Sequence, residues 1–238
     1  MTQGYFITGT DTGVGKTLVA CALLHAFAAR GLEAAGMKPV ASGTELVEGV
    51  LRNEDVEQLL AAASVGAPRP IVNPYCFEPP IAPHIAADRE GVTIDLDHVG
   101  RCYAGLAALS DVVVVEGVGG FCVPLGPGVD TAALAARLAL PVVLVVGMRL
   151  GCLNHALLTA EAIAARGLAL AGWVANHVDP EMAAADENVR ALEERLAAPL
   201  VARIAYAAHI EPRSIAPQFD PQSDLFRLHR PRRATRGE

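Results

Sequence analysis

Nine residues near the N-terminus, Gly9-Thr10-Asp11-Thr12-Gly13-Val14-Gly15-Lys16-Thr17, leave few folds open to this chain. They follow a short apolar stretch, Tyr5 to Thr8, and run directly into an Ala/Leu-rich stretch of helical period, Lys16 to Ala29. Strand, glycine loop and helix in that order form the setting a phosphate-binding loop requires. Backbone N–H groups from Gly13 through Val14, Gly15 and Lys16 to Thr17 converge on one concavity, and the helix N-terminus adds its positive potential. An ammonium at Lys16 reaches the β- and γ-phosphates and the Thr17 hydroxyl is placed for Mg²⁺. The interval from Gly9 to Gly15 is one residue longer than the common GxxxxGK[ST] spacing.

The rest of the chain alternates in the same way. Strands are expected near Tyr5 to Thr8, Ala34 to Pro39, Val112 to Glu116, Val142 to Val146, Leu170 to Asn176 and Leu200 to Ile204. Helices are expected near Lys16 to Ala29, Asn53 to Ala63, Leu96 to Leu109, Asp130 to Leu138, Leu153 to Ala165 and Ala184 to Leu196. This predicts an α/β class chain: a single P-loop NTPase-type domain over residues 1–207, with a mostly parallel central sheet flanked by helices. The run Val112-Val113-Val114-Val115 lacks period-two alternation, as suits a strand buried on both faces. Six of the sixteen prolines fall between Ala67 and Glu90, which reads as a long irregular loop. Residues 208–238, rich in Pro and Arg, lose all period and read as a mobile tail.

Composition narrows the function classes. With 19 Lys plus Arg against 26 Asp plus Glu, the net charge of -7 argues against nucleic acid as a partner, since neutralising phosphates needs a basic surplus. Five cysteines form no CxxC pair, and no basic segment leads an apolar one at the N-terminus, so a reducing cytoplasm is expected. The longest apolar run, Leu138 to Met148, is broken by Pro141 and falls short of the roughly 18 residues a bilayer demands, so no membrane partner is expected.

Further candidates sit at strand ends. Glu116, ahead of Gly117-Val118-Gly119-Gly120, is a carboxylate at the carboxyl end of a buried strand, where a second Mg²⁺ ligand belongs in an open α/β sheet. Asp55 is a weaker candidate for the same ion; its spacing alone better fits an acid in the first turn of a helix. Lys38 closes the second strand, and it and Lys16 are the only lysines against 17 arginines. A compact ammonium inside a tight phosphate loop is a task arginine does not replace. Gly151-Cys152-Leu153-Asn154 opens a helix after a strand and is able to hold a carboxylate. His84, His155 and His177 show no metal-ligand spacing and read as structural or exposed.

Together the segments YFITGTDTGVGKT, AGMKPVASG, NPYCFEPPIAPHIA, VEGVGG, VVLVVGMRLGCLNH and LAGWVAN resemble the dethiobiotin synthetase family over nearly the whole chain to about residue 207. The resemblance implies an ATP- and Mg²⁺-dependent ring closure of 7,8-diaminononanoate with CO₂, or bicarbonate as its source, to dethiobiotin. It implies that Thr12, Lys16 and Lys38 surround a carbamate and the γ-phosphate, and that Thr17, Asp55 and Glu116 hold Mg²⁺. It further implies ATP contacts at Gly13 to Leu18, Asp55, Glu116 to Gly119, Asn176, His177 and Ala205-Tyr206-Ala207. The diamine would meet Thr12, Lys38 and Ser42, and its carboxylate the Gly151, Cys152, Leu153 and Asn154 opening across a homodimer interface. The family pattern has Asp at the position of His177, Pro-Trp-Leu at 205–207 and, in some members, Tyr at Asn188. Two other readings share the fold. A partition- or positioning-type ATPase switch would carry a lysine where Asp11 stands, and an amidotransferase synthetase would need a glutaminase domain for which too few residues follow 207.

Overall fold

A computed structural model describes residues 2–226. Six strands form one sheet in which every pairing is parallel. They are β1 (Gln3–Gly9), β2 (Ala34–Met37), β3 (Val112–Glu116), β4 (Val142–Met148), β5 (Leu170–His177) and β6 (Leu200–Ile204), in spatial order β6-β5-β4-β1-β3-β2. The six strands expected from sequence are all present. Every residue of β3 and β4 is buried, as continuous valine runs require when helices cover both faces. Alternate residues of β1 serve opposite layers: Tyr5 and Ile7 join one core cluster, Phe6 the other.

The helices are α1 (Lys16–Ala28), α2 (Glu54–Ala62), α3 (Leu96–Leu109), α4 (Thr131–Leu138), α5 (Cys152–Ala165) and α6 (Ala185–Glu193). Three begin where an Asx side chain caps them: Asn53 accepts from Asp55 N and Val56 N, Asp95 from Asp97 N, and Asp130 from Ala133 N. The chain leaves β1 toward β2 on one side, and β4 to β6 lie on the other. The loop after β1 therefore opens into the crevice where the strand order reverses, the usual place for a ligand in such a sheet.

Two expectations need correction. The proline-rich stretch is not one irregular loop: it contains helices Arg69–Val72 and Pro83–Arg89 and a strand, Tyr75–Phe77, paired in parallel with Val40–Ser42. Both helices carry proline in the first turn, where a missing N–H costs nothing because no acceptor precedes it.

The second correction concerns the tail. Up to Phe226 it is part of the globule, with a helix at Pro212–Ile215 and 3₁₀ turns at Ala216–Gln218 and Asp224–Phe226. Ile215, Phe219 and Leu225 are buried in the α1 cluster. The Tyr5 hydroxyl donates to Leu225 O at 2.7 Å, and the Arg30 guanidinium stands 3.7 Å over the Phe226 ring. The cause lies in α1, which is apolar around most of its circumference: Val19, Ala20, Leu23, Leu24 and Phe27 are buried on one side and Cys21, Ala22 and Ala26 on the other. The sheet covers only one side of such a helix, so a second layer must cover the other. Residues 227–238, the remainder of the expected tail, lie outside the described residues. No helix among the described residues is long and apolar enough to cross a membrane, and the five cysteines are free thiols.

Candidate active site

The phosphate loop takes its shape from two neighbours that leave no room for a side chain. Gly15, the N-cap of α1, has φ 89°, and a Cβ there would lie 2.3 Å from Asn176 Nδ2. Gly147 on β4 faces Val14, whose Cγ1 would be 2.6 Å from an added Cβ. Asn176, at the end of β5, donates from Nδ2 to Val14 O at 2.8 Å, so the residue expected to read a base also braces the loop. Lys16, the first residue of α1, turns its Nζ to Asp11 O at 2.9 Å. Burial, and then the nearby Lys38 ammonium, lower the Lys16 pKa to about 8. An anion bound there would raise it again.

Lys38 lies beyond the end of β2 and is 3% exposed. Its backbone is fixed on both sides: Lys38 N–H donates to Val72 O at 2.9 Å and Asn73 Nδ2 donates to Lys38 O at 2.6 Å. Its Nζ meets Glu116 Oε1 at 2.5 Å and Asp55 Oδ2 at 2.8 Å. Burial works against the ammonium, but the two carboxylates outweigh it and hold the Lys38 pKa above its ordinary value. Glu116, at the end of β3, is pushed above the usual carboxylate range by burial and by the Asp55 charge, against the pull of Lys38. For Asp55 burial is overcome by Lys38, and its pKa falls below the ordinary value.

Asp55 meets the helix-acid reading and also reaches the cleft. It stands in the first turn of α2, and its carboxylate is in the site. Asn53 makes this possible by capping α2 with Oδ1 while its Nδ2 donates to Gly43 O at 3.0 Å and Ser42 O at 3.3 Å, which ties the Ser42 loop to the helix start.

These groups line one cleft of about 760 Å³. It brings together Thr12, Gly13, Gly15, Lys16, Thr17, Lys38, Ser42, Asp55, Glu116, Val118 and Gly119 of the sequence candidates. Gly117 sits behind it, donating its N–H to Ile7 O at 2.9 Å. Val14 is buried, while Leu18 packs against the α1 cluster. Other candidates stand apart from this cleft. His177 is on the opposite face of β5 from Asn176, where it accepts from Arg203 Nε at 3.2 Å, and Arg203 also pairs with Asp186. Ala205, Tyr206 and Ala207 are exposed beyond β6. Gly151 to Asn154 begin α5 without a side-chain cap, and the Cys152 side chain is buried, so only backbone from that residue is available to a ligand.

Several lining residues escaped the sequence reading: Asp11, Ala41, Asn53, Val123 and the Pro80 to Pro83 turn. Asn53 was legible as a cap before an apolar-periodic run. The proline turn gave no chemical signal, since it contributes shape.

The cleft residues fit a hard divalent cation. Thr17 Oγ1 donates to Glu116 Oε1 at 2.8 Å, Asp55 is adjacent, and Glu116 Oε2 is buried with no hydrogen-bond partner. Among the described residues no cluster of three or more His, Cys, Asp or Glu makes an all-protein metal cage. Two carboxylates and a hydroxyl instead suit an ion such as Mg²⁺ that shares its shell with phosphate and water.

Over residues 3–214 the chain matches the AAA domain family. It is 56% identical over 214 residues to the ATP-dependent dethiobiotin synthetase BioD of Aromatoleum aromaticum, covering 90% of this chain and 95% of that one. It is 54% identical over 220 residues to the protein of the same name from Nitrosospira multiformis, covering 92% and 96%. Among solved structures it is similar to the septum site-determining protein MinD of Pyrococcus horikoshii OT3 complexed with Mg-ADP, with a TM-score of 0.52, 18% identity and coverage of 95% and 92%. The MinD cell division protein of Aquifex aeolicus gives a TM-score of 0.54 at 14% identity, covering 94% and 92%. At those identities the two structures show a shared P-loop fold.

Proposed function

The chain belongs to the ATP-dependent dethiobiotin synthetase family, and from that premise we propose that it closes the ureido ring of dethiobiotin from 7,8-diaminononanoate, CO₂ and Mg²⁺–ATP. In the proposed sequence the N7 amine adds to CO₂ and loses a proton to give a carbamate. A carbamate oxygen then attacks the γ-phosphorus and ADP leaves. The N8 amine attacks the carbonyl carbon of the resulting mixed anhydride, phosphate leaves with the C–O bond electrons, N8 gives up a proton to the departing phosphate or to water, and the ring closes.

The observation that carries this reading is the buried Lys38 ammonium, held between Glu116 and Asp55 and facing the phosphate loop across one cleft. Phosphoryl transfer asks for positioning and charge stabilisation more than for a covalent nucleophile. Lys16 binds the β- and γ-phosphates, Lys38 stabilises the transferring group, and Thr12 orients the carbamate. Thr17, Asp55 and Glu116 would hold Mg²⁺, which when bound offsets phosphate charge. Ser42, fixed by Asn53, would touch the diamine, Asn176 would read adenine, and the exposed 205–207 backbone would border the base.

The carboxylate end of the diamine is assigned to the opening of α5, at Gly151 to Asn154, on a second copy of the chain. Leu150, 95% exposed beside that opening, and Leu158, 56% exposed on α5, supply an apolar surface for such a homodimer. Five free thiols support a cytoplasmic setting.

The test is phosphate release from Mg²⁺–ATP with and without 7,8-diaminononanoate and bicarbonate, alongside mass detection of dethiobiotin. Product that depends on all three substrates is expected. Phosphate release indifferent to the diamine would leave the fold standing and overturn the substrate.

A further inference from the structure

Three ties run from the end of β4 to the phosphate loop. Thr10 N–H donates to Val145 O at 3.0 Å, Gly147 N–H donates to Thr10 Oγ1 at 3.3 Å, and the Arg149 guanidinium pairs with Asp11 Oδ2 at 2.5 Å. The third differs in kind: it joins two ionised side chains, each about half exposed. Asp11 is engaged on every polar atom beyond its amide. Its Oδ1 accepts Thr12 N–H at 2.7 Å, and its main-chain carbonyl accepts Lys16 Nζ at 2.9 Å. One residue thereby fixes the backbone at Thr12 and the resting place of Lys16.

A carboxylate is a poor lining for a cleft that receives a triphosphate, because like charges at a few ångströms repel and the partly enclosed site weakens solvent screening. The protein keeps it there with a counter-charge from another element. Arg149 is itself anchored at a structural joint: its carbonyl accepts Cys152 N–H at 3.0 Å in the turn that begins α5.

We propose that Arg149 is a positioning residue of the nucleotide site, which cancels the charge of Asp11 and fixes its carboxylate so that the phosphate loop is held in its receiving shape. This rests on the reading that the loop takes ATP. Arg149 acts through Asp11 rather than on the nucleotide, and the two behave as one neutral unit.

The experiment is calorimetric titration of Mg²⁺–ATP, without diamine, into the full-length protein and the variants Arg149→Ala, Arg149→Lys, Asp11→Asn and Asp11→Asn/Arg149→Ala, with thermal melts as the folding control. Losing one charge-assisted contact at a half-exposed site is expected to weaken binding about five- to tenfold in Arg149→Ala. Arg149→Lys should retain most of the affinity. In the double variant, where no unpaired carboxylate remains, affinity should recover above that of Arg149→Ala. In turnover assays KM for ATP should rise while kcat changes by less than about twofold. Wild-type affinity in Arg149→Ala would overturn the proposal. So would a double variant as weak as Arg149→Ala, since Arg149 would then be touching the nucleotide directly. A wild-type protein that binds no ATP at all would overturn the nucleotide reading instead.

Discussion

Lys38 shows how much of a site can rest on one atom. Its Nζ is the shared partner of Glu116 and Asp55, so removing it deletes the proposed electrostatic partner of the transferring phosphoryl group and strands a buried carboxylate. Lys38→Ala is expected to lower turnover by about 10²–10³-fold or more while Mg²⁺–ATP still binds through Lys16 and the loop backbone, measured by product formation and by nucleotide titration. Glu116→Gln keeps the shape and halves the carboxylate charge of the proposed Mg²⁺ site. The Mg²⁺ concentration for half-maximal rate should rise about ten- to hundredfold, and an unchanged Mg²⁺ titration would remove Glu116 from the metal site. At this scale the sequence was informative where a motif names both residue and neighbour, as in Gly15-Lys16-Thr17. It was silent where a contact joins distant positions: Asn73 on the Lys38 carbonyl, or Arg149 on Asp11, follows from no local pattern.

Elements were legible in proportion to their period. The continuous valines of β3 and β4 mark central strands, and Asn53, Asp95 and Asp130 mark helix starts almost to the residue. The short helices Arg69–Val72 and Pro83–Arg89 were hidden by prolines that break a helix in its interior yet suit its first turn. The segment after 208 has no period of its own because it takes its form from α1. The signal was present in α1 itself, since a helix with Val19, Leu23 and Phe27 on one side and Cys21, Ala22 and Ala26 on the other needs two covers. Phe219→Ala, within that cover, should destabilise the protein by about 3–5 kcal/mol in denaturant unfolding. Gly147→Ala tests the contact between β4 and the phosphate loop. Its methyl group would press on Val14, cost about 1–3 kcal/mol of stability and weaken nucleotide binding, measured by melting and titration.

For the molecule as a whole, two histidines lower stability as the solution turns mildly acidic. His25 on α1 has its pKa lowered by burial and by Arg213, and His177 by burial and by Arg203, with Asp186 opposing. Both folded values lie below the unfolded value near 6.5, so as pH falls through that value the unfolded chain binds protons first and stability drops. Thermal melts should therefore decline from pH 7 toward 5, and His25→Gln should flatten part of that decline; an identical slope in the variant would clear His25.

The hydrogen bond from Tyr5 to Leu225 O spans 220 positions, and β1 pairs only with strands that follow it by more than a hundred residues. During synthesis β1 thus emerges long before either partner strand exists, and the cover of α1 is made only after all six strands of the sheet. The nucleotide loop therefore attains its final form only after β4 and β5, which brace it, have been made. Distant contacts of this kind slow folding and expose the nascent apolar strands to aggregation until they form.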